Sequence, residues 1–341
     1  MNYIGSKHSL LDFLENGIMK IVDSDCRTFC DLFAGTGAVG RLFKKKGFSV
    51  ISNDLQYYGF VLNKHYIENH RPLEFVGLQN EIENPTPENV CAFLSVLPLS
   101  YGFIYNNYAG SSGRLYFSDE NACKCDAIRT KIKEWHDGNK ITDGENYFLI
   151  TTLLEQIDKH ANTASVYGSF LKKLKSSAQK VFDLIPAQLL INDQNHKVYN
   201  KDANELIFEI ESDILYLDPP YNERQYASNY HLLETIAKYD SPEIKGKTGL
   251  RNYDNQKSNY CRRTNVKIAF ADLIKNARAK YIFLSYNNEG LLSFDEICEI
   301  MSSRGEYGFF TQSYNRFKAD SKRDYLANKT TEYLHWVKVK N

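Results

Sequence analysis

The segment Ile214-Leu215-Tyr216-Leu217-Asp218-Pro219-Pro220-Tyr221 constrains the fold more than any other stretch, because an apolar run stops at an acid, two prolines and a tyrosine. Up to Leu217 the run suits a strand of a parallel sheet covered on both faces. Two consecutive prolines can continue neither a β-ladder nor a helix, so the chain turns at Asp218. In an open α/β sheet, the position just past the carboxyl end of a strand is where ligands bind.

The residues at that turn form a specific tool. Asp218 can accept a hydrogen bond from an amino group, the Pro219 carbonyl can accept a second, and beyond Pro220 the Tyr221 ring can lie flat against a planar ligand. Two acceptors and a stacking face fit a nucleobase bearing an exocyclic amine. The same residues also suit a plain strand end, with Asp218 capping a helix and Tyr221 packing.

A second unit stands near the amino terminus. Thr28-Phe29-Cys30-Asp31-Leu32-Phe33 reads as a strand, Ala34-Gly35-Thr36-Gly37-Ala38-Val39-Gly40 as a turn entering a helix with Val39, Leu42 and Phe43 inward, and Phe48 to Ser52 as a second strand ending in Asn53-Asp54. In such a unit the glycines let the backbone approach a ligand and the second acid, Asp54, grips ribose hydroxyls. Gly35-x-Gly37-x-x-Gly40 also satisfies the spacing known from NAD enzymes, but the geometry serves any adenosine-bearing cofactor. Asp31 ends the first strand and can bind an ammonium, which NAD lacks and an α-amino acid cofactor has; capping of the glycine turn is its alternative use. Upstream, Tyr3-Ile4-Gly5-Ser6-Lys7 opens a helix with Leu10, Leu14, Gly17, Ile18 and Ile21 on one face. A helix start with a lysine favours an anionic group, or is an exposed first turn.

Taken in order, Tyr3 to Lys7, Asp31-Leu32-Phe33-Ala34-Gly35-Thr36-Gly37, Asn53-Asp54 and Asp218 to Tyr221 resemble the Dam-type (DPPY-motif, alpha-group) DNA adenine methyltransferases of the kind found in type II restriction-modification systems. The resemblance implies an α/β, class I S-adenosylmethionine-dependent methyltransferase fold: a mostly parallel seven-stranded sheet ending in an antiparallel hairpin, with an inserted, mainly helical target-recognition domain. The catalytic domain would comprise residues 1–70 and 196–341, and the recognition domain residues 71–195. It also implies S-adenosylmethionine as methyl donor, transfer to adenine's exocyclic amine in double-stranded DNA, and extrusion of that base from the duplex. Tyr3, Lys7, Asp54 and Asp218 would contact the cofactor, with Phe33, Gly35 and Gly37 in the turn beneath its methionine part. Asp202, just past the short strand His196 to Asn200, would reach the cofactor's adenine amine, or simply cap the helix that follows.

Between Arg71 and Asn195 the strand–helix alternation lapses, and Pro85, Pro87 and Pro98 punctuate the entry. Tyr101 to Phe117 packs aromatics among amides, glycines and an arginine, and here Tyr105, Asn106, Asn107, Tyr108 and Arg114 are candidates for reading base edges. An aromatic hairpin packed on the catalytic domain is the alternative. The resembled family carries its recognition region in this interval. Ile128 to Trp135 and Tyr147 to Ile157 read as helices, and Lys172, Lys173 and Lys175 as a solvated face. Residues 245–267 hold seven Lys or Arg against one acid, Asp254, a net charge of +6. With Tyr253 and Tyr260 interleaved, Lys245, Lys247, Arg251, Lys257, Arg262 and Arg263 suit a mobile loop gripping DNA phosphates, or a solvated loop. Beyond it come helix Val266 to Ala277, strand Tyr281 to Ser285, a capping box Ser293-x-x-Glu296, and two strands joined by basic residues 316–323 as a hairpin.

Composition narrows what remains. At 341 residues and 43% hydrophobic, the chain can bury a large core, and 42 Lys plus Arg balance 42 Asp plus Glu, so a polyanion must be met by a local patch. The seven cysteines are scattered and read as reduced thiols, and Cys123-x-Cys125 has no second pair with which to hold a metal. No Pro-Cys dipeptide occurs, which disfavours a carbon-5 cytosine methyltransferase. No apolar run approaches membrane-spanning length and no signal-peptide profile opens the chain, so a cytoplasmic, bacterial-type protein associated with the nucleoid through DNA is expected, with no membrane partner. A cognate restriction endonuclease would act separately, since the length leaves no room for a fused one. Two other readings remain: an amino methyltransferase acting on RNA or a protein glutamine, and a non-catalytic nucleic-acid-binding module.

Overall fold

The computed structural model describes residues 7–164, 166–315 and 329–340. Its strands are β1 (Thr28–Asp31), β2 (Ser49–Asn53), β3 (Lys197–Tyr199), β4 (Ser212–Leu217), β5 (Ile244–Lys245), β6 (Leu250–Arg251), β7 (Ala279–Asn287), β8 (Gly305–Asn315) and β9 (Lys329–Val339). They belong to two compact units. One takes in Gly5–Asn63, Asp193–Tyr226 and Asp254–Asn341; the other takes in Lys64–Asn192 and Ala227–Tyr253. Tyr3 and the rest of its motif before Lys7, and the basic turn 316–323, lie outside the described residues.

The first unit is built on a seven-stranded sheet in the order β3-β2-β1-β4-β7-β9-β8. β1 pairs in parallel with β2 and β4, β2 with β3, and β4 with β7. β9 then runs antiparallel to both β7 and β8, which is the class I methyltransferase arrangement. The chain steps outward from β1 to β3 and returns to β4 on the other side of β1. That reversal opens a crevice past the carboxyl ends of β1 and β4, where Asp31 and Asp218 emerge.

Local sequence explains the elements around it. In β4, Ile214 to Leu217 are buried throughout, as a strand covered on both faces requires. Helix Ala38–Lys45 starts at Gly37, whose φ of 76° only glycine adopts freely, and stacks Phe43 on Phe29 of β1 with ring centroids 3.8 Å apart. Burying such a side chain contributes roughly 1.5–3 kcal/mol. Helix Leu11–Ile21 buries Leu14, Gly17 and Ile18, and Gly17 is there because an added Cβ would stand 2.6 Å from Leu334.

The second unit is mainly helical. Helices Asp119–Asp137 and Asp143–His160 contain the expected segments and extend beyond them at their amino ends, because Ser118 and the Thr142/Glu145 capping box start each one in polar sequence that apolar periodicity does not register. Tyr101 to Phe117 is more ordered than the aromatic loop expected from its glycines and amides. It forms helix Phe103–Tyr108 and a 3-10 turn at Gly110–Ser112. The cause is a non-local cap: the Asp126 carboxylate accepts the backbone N–H groups of Gly102 (3.0 Å), Ile104 (2.9 Å) and Tyr105 (2.8 Å). The basic stretch 245–267 is likewise not one loop. β5 and β6 form a ribbon in this unit, while Asp254 onward belongs to the sheet unit and begins with 3-10 turns at Asp254–Gln256 and Asn259–Cys261. Lys172, Lys173 and Lys175 lie outside any helix.

Candidate active site

The glycine turn is held from several sides. Leu32 donates its backbone N–H to the Tyr216 carbonyl (3.2 Å), Ala34 to Asn53 (2.9 Å) and Gly37 to Ala34 (2.8 Å). Gly35 and Gly37 both have positive φ, 53° and 76°. Asp54 braces the turn, its Oδ2 accepting the Gly35 N–H at 2.8 Å and its Oδ1 the Gln56 N–H at 2.7 Å. Asn63, which no sequence motif marks, completes the brace by donating to the carbonyls of Gly35 (3.0 Å) and Gly59 (2.8 Å) while accepting from Ser52 Oγ (2.8 Å).

Asp31 sits at the floor of this turn, 1% exposed. Its Oδ2 accepts the Gly40 N–H at 3.2 Å, and its Oδ1 is buried with no partner among the described residues. Burial and then the neighbouring Asp218 charge push its carboxyl up to about 8, against the pull of the Gly40 N–H. A buried, unpaired acceptor beside a glycine turn fits a ligand cation such as an α-ammonium. Further along the same edge, Asp202 caps helix Ala203–Leu206 by accepting the Asn204 N–H at 2.8 Å. Phe33 meets the Tyr260 ring edge-on at 5.0 Å, and the Tyr260 hydroxyl donates to Asn204 Oδ1 at 2.9 Å.

At the end of β4, Asp218 Oδ1 lies 2.9 Å from Lys7 Nζ, and the same ammonium lies 3.2 Å from Glu332 Oε1. Burial raises the Asp218 carboxyl to about 6; Lys7 draws it down and Glu332 pushes it up. Burial alone would depress the Lys7 ammonium, but Asp218 and Glu332 more than reverse this and hold it well above its ordinary value. Pro219 is buried and Tyr221 half-buried, with the Tyr221 ring edge-on to Tyr286 at 6.4 Å and its carbonyl accepting the Leu291 N–H at 3.0 Å. Tyr286 also lines a cavity of about 400 Å³ whose walls include Arg263, Asn287, Phe294, Tyr333 and His335. Glu332 was invisible to motif reading, yet its signal is present: Thr330, Glu332 and Leu334 alternate inward on β9, which puts an acid in a buried row.

In the helical unit, residues from two distant stretches meet. Arg114 donates to the Asn107 carbonyl and to the Gly246 carbonyl, both at 3.2 Å, and the Tyr108 hydroxyl donates to the Gly249 carbonyl at 2.6 Å. Asn106 is exposed and Tyr105 and Asn107 half-buried, but Tyr108 is wholly buried and packs against Tyr116 at 5.8 Å. Arg251 is also buried, held by both oxygens of Asp240 at 2.6 and 3.0 Å. These two side chains are therefore built into the unit and not displayed on it. Lys245 and Lys247 are exposed on the ribbon. In the sheet unit, Lys257 pairs with Asp254 at 2.5 Å, while Arg262 and Arg263 are exposed with no ion pair among the described residues. All seven cysteines are free thiols. Among the described residues there is no cluster of His, Cys, Asp or Glu able to hold a metal, and no helix long and apolar enough to cross a membrane.

Comparison with known proteins converges on one family. Residues 3–300 match the D12 class N6 adenine-specific DNA methyltransferases. The chain is 49% identical to the type II methyltransferase M.NlaIII of Neisseria lactamica, over 98% of each chain. It is 35% identical to the type II methyltransferase M.CviAII of Paramecium bursaria Chlorella virus 1, over 99% of this chain and 98% of that one. It is also 39% identical to the type II methyltransferase M.FokI of Planomicrobium okeanokoites, where 99% of this chain spans 52% of the relative's length.

Proposed function

The chain belongs to the D12 class N6 adenine-specific DNA methyltransferases, and from that premise we propose that it transfers a methyl group from S-adenosylmethionine to the exocyclic amine of an adenine extruded from duplex DNA, at Asp218. What supports the reading most is the state of that carboxylate. Lys7 engages Oδ1, whereas Oδ2 accepts no hydrogen bond from the described residues.

The residues present suit the cofactor. Asp31 Oδ1 would take its ammonium, the Gly35–Gly37 turn would pass beneath its methionine part, Asp54 would meet its ribose hydroxyls, and Asp202 and Phe33 would border its adenine. Tyr3 is carried as a further contact on the family resemblance alone. When bound, the cofactor supplies an electrophilic sulfonium methyl. Adenine's amino nitrogen is a poor nucleophile because its lone pair is delocalised into the ring. Asp218 Oδ2 and the Pro219 carbonyl would each accept one of its N–H groups and so return electron density to nitrogen, by positioning and fixed electrostatics with no covalent bond to the protein. Extruding the base costs a few kcal/mol, and stacking on Tyr221, held in place by Pro220 and Tyr286, offsets about 1–3 kcal/mol of it.

Within the helical unit, Tyr105, Asn106 and Asn107 on helix Phe103–Tyr108 are the candidate base readers, placed by Asp126 and Arg114. Lys245, Lys247, Lys257, Arg262 and Arg263 are candidate phosphate contacts. The type II names of the relatives suggest that a separate restriction endonuclease shares the recognition sequence. The test is methyl acceptance by duplex DNA and by total RNA, with nucleoside analysis of the product. N6-methyladenine formed in duplex DNA is expected; preferential labelling of RNA, or of cytosine, would overturn the reading.

A further inference from the structure

The ion pair at the catalytic corner has a third member that no motif marks. Lys7 Nζ is shared between Asp218 Oδ1 (2.9 Å) and Glu332 Oε1 (3.2 Å), and its side chain is 7% exposed. Glu332 is itself 1% exposed and accepts a hydrogen bond from Ser285 Oγ of β7, so it is fixed from the strand beside its own. A buried acid in the middle of a sheet is costly unless paired, and a carboxylate on β9 has no part in binding the cofactor or the base as described above. Its position on the far side of one ammonium from Asp218 gives it a task.

We propose that Glu332 is a positioning residue for methyl transfer: by taking part of the Lys7 ammonium, it holds that cation on Oδ1 of Asp218 and keeps Oδ2 open for the adenine amine. A lysine left with Asp218 as its sole anion would close on the carboxylate and compete with the substrate for its lone pairs. A lysine without any such counterweight would also weaken the carboxylate as an acceptor. Glu332 sets a balance between two demands: an ammonium near enough to keep Asp218 ionised in a buried site, yet divided enough to leave it basic. Ser285 fixes the Glu332 oxygen that faces the lysine. The groups facing Asp218 are Lys7, Glu332, Asp31 on the adjacent strand, and the phenols of Tyr216 and Tyr221, which burial keeps neutral.

The inference rests on the proposed role of Asp218 and is tested by single-turnover transfer to a duplex across pH, using the wild type, Glu332→Gln and Glu332→Asp. Glu332→Gln should slow transfer at its optimum by about 10- to 100-fold, the scale of a misplaced catalytic group, while duplex affinity stays within about threefold. Its acidic limb should move to lower pH, because removal of the Glu332 charge lets the Asp218 carboxyl fall. Glu332→Asp, which keeps the charge, should recover much of the rate and the wild-type limb. Chemical denaturation of each variant reports folding separately, and a fold defect alone would lower the rate at every pH without moving the limb. Wild-type rate and limb in Glu332→Gln, or loss of rate with an unmoved limb, would overturn the proposal. If Asp218→Ala were still active, the underlying reading would fail first; if it is dead while Glu332→Gln behaves as wild type, this inference alone fails.

Discussion

Two aspartates, one in each unit, are almost equally buried and have been treated in opposite ways. In the helical unit Asp126 receives three backbone N–H groups and the Tyr239 hydroxyl at 2.8 Å. Burial raises its carboxyl and those donors draw it back. In the sheet unit Asp31 receives one N–H and keeps an oxygen bare, and its carboxyl stands at about 8. Leaving a buried polar atom unpaired costs about 1–3 kcal/mol, so a fold tolerates it where something else will supply the partner. The satisfied acid is scaffolding, and the unsatisfied one has the form expected of the ammonium receptor proposed above.

The largest effect that this contrast forecasts belongs to Asp218, the other acid of the switch point. Asp218→Ala should abolish detectable methyl transfer while duplex affinity remains close to wild type, read by a gel shift beside a methyl-transfer assay. Residual transfer within about tenfold of wild type would contradict its role as amine acceptor, since positioned groups of this kind contribute about 10²–10⁴-fold.

Next comes the pH dependence of cofactor binding. An ammonium needs Asp31 as a carboxylate, and below about 8 the free site holds a proton there. Affinity for S-adenosylmethionine should therefore climb with pH by up to about tenfold per unit from about 6 to 8, then fall as the cofactor's own amine, free value about 7.7–8.0, loses its charge. Calorimetry at pH 7 in two buffers of different ionisation enthalpy should record a proton released on binding. Asp31→Asn should bind weakly and lack the rising limb; a flat profile in the wild type would show that Asp31 is no receptor. The same raised carboxyl makes the cofactor-free protein less stable as pH rises from about 4 to 8, because the unfolded chain gives up this proton first.

Asp126 offers the converse. Asp126→Ala leaves buried donors unmet, for a loss of about 1–3 kcal/mol in stability. Helix Phe103–Tyr108 loses its cap, so duplex binding and sequence discrimination should weaken while cofactor affinity is unchanged. A parallel fall in cofactor affinity would erase the distinction drawn between the two acids.

These two sites were not equally legible in the sequence. The strand ends, the glycine turn and the Asp218 corner are local patterns: each is a short run whose residue types dictate its backbone, and β1, β2, β4 and the closing hairpin β8–β9 lie where alternation and punctuation put them. What escaped was held from afar. Asp126 caps a helix start 21 to 24 residues upstream, so Tyr101 to Phe117 reads as loop until that acid is known. The charge run at residues 245–267 gave no sign that Arg251 is spent on Asp240 or that the run divides between the units. Glu332 is separated from Lys7 by most of the chain, and only its inward phase on β9 hints at it. Local chemistry is written in neighbouring letters, whereas pairing of buried charges is decided by topology.

The smallest effect should come from the exposed cations, where no buried charge is at stake. Arg262 and Arg263 are exposed and without ion pairs among the described residues, whereas Lys257 is tied to Asp254. A free guanidinium that meets phosphate releases a counterion, so Arg262→Ala and Arg263→Ala should each reduce the slope of log affinity against log salt by about one, uniformly across DNA sequences. Lys257→Ala should change that slope less, because its charge is already partly neutralised. Arg263 also borders the cavity lined by Tyr286, so a loss of discrimination between sequences in Arg263→Ala, in place of a uniform loss, would move that residue from holding the backbone to reading the site.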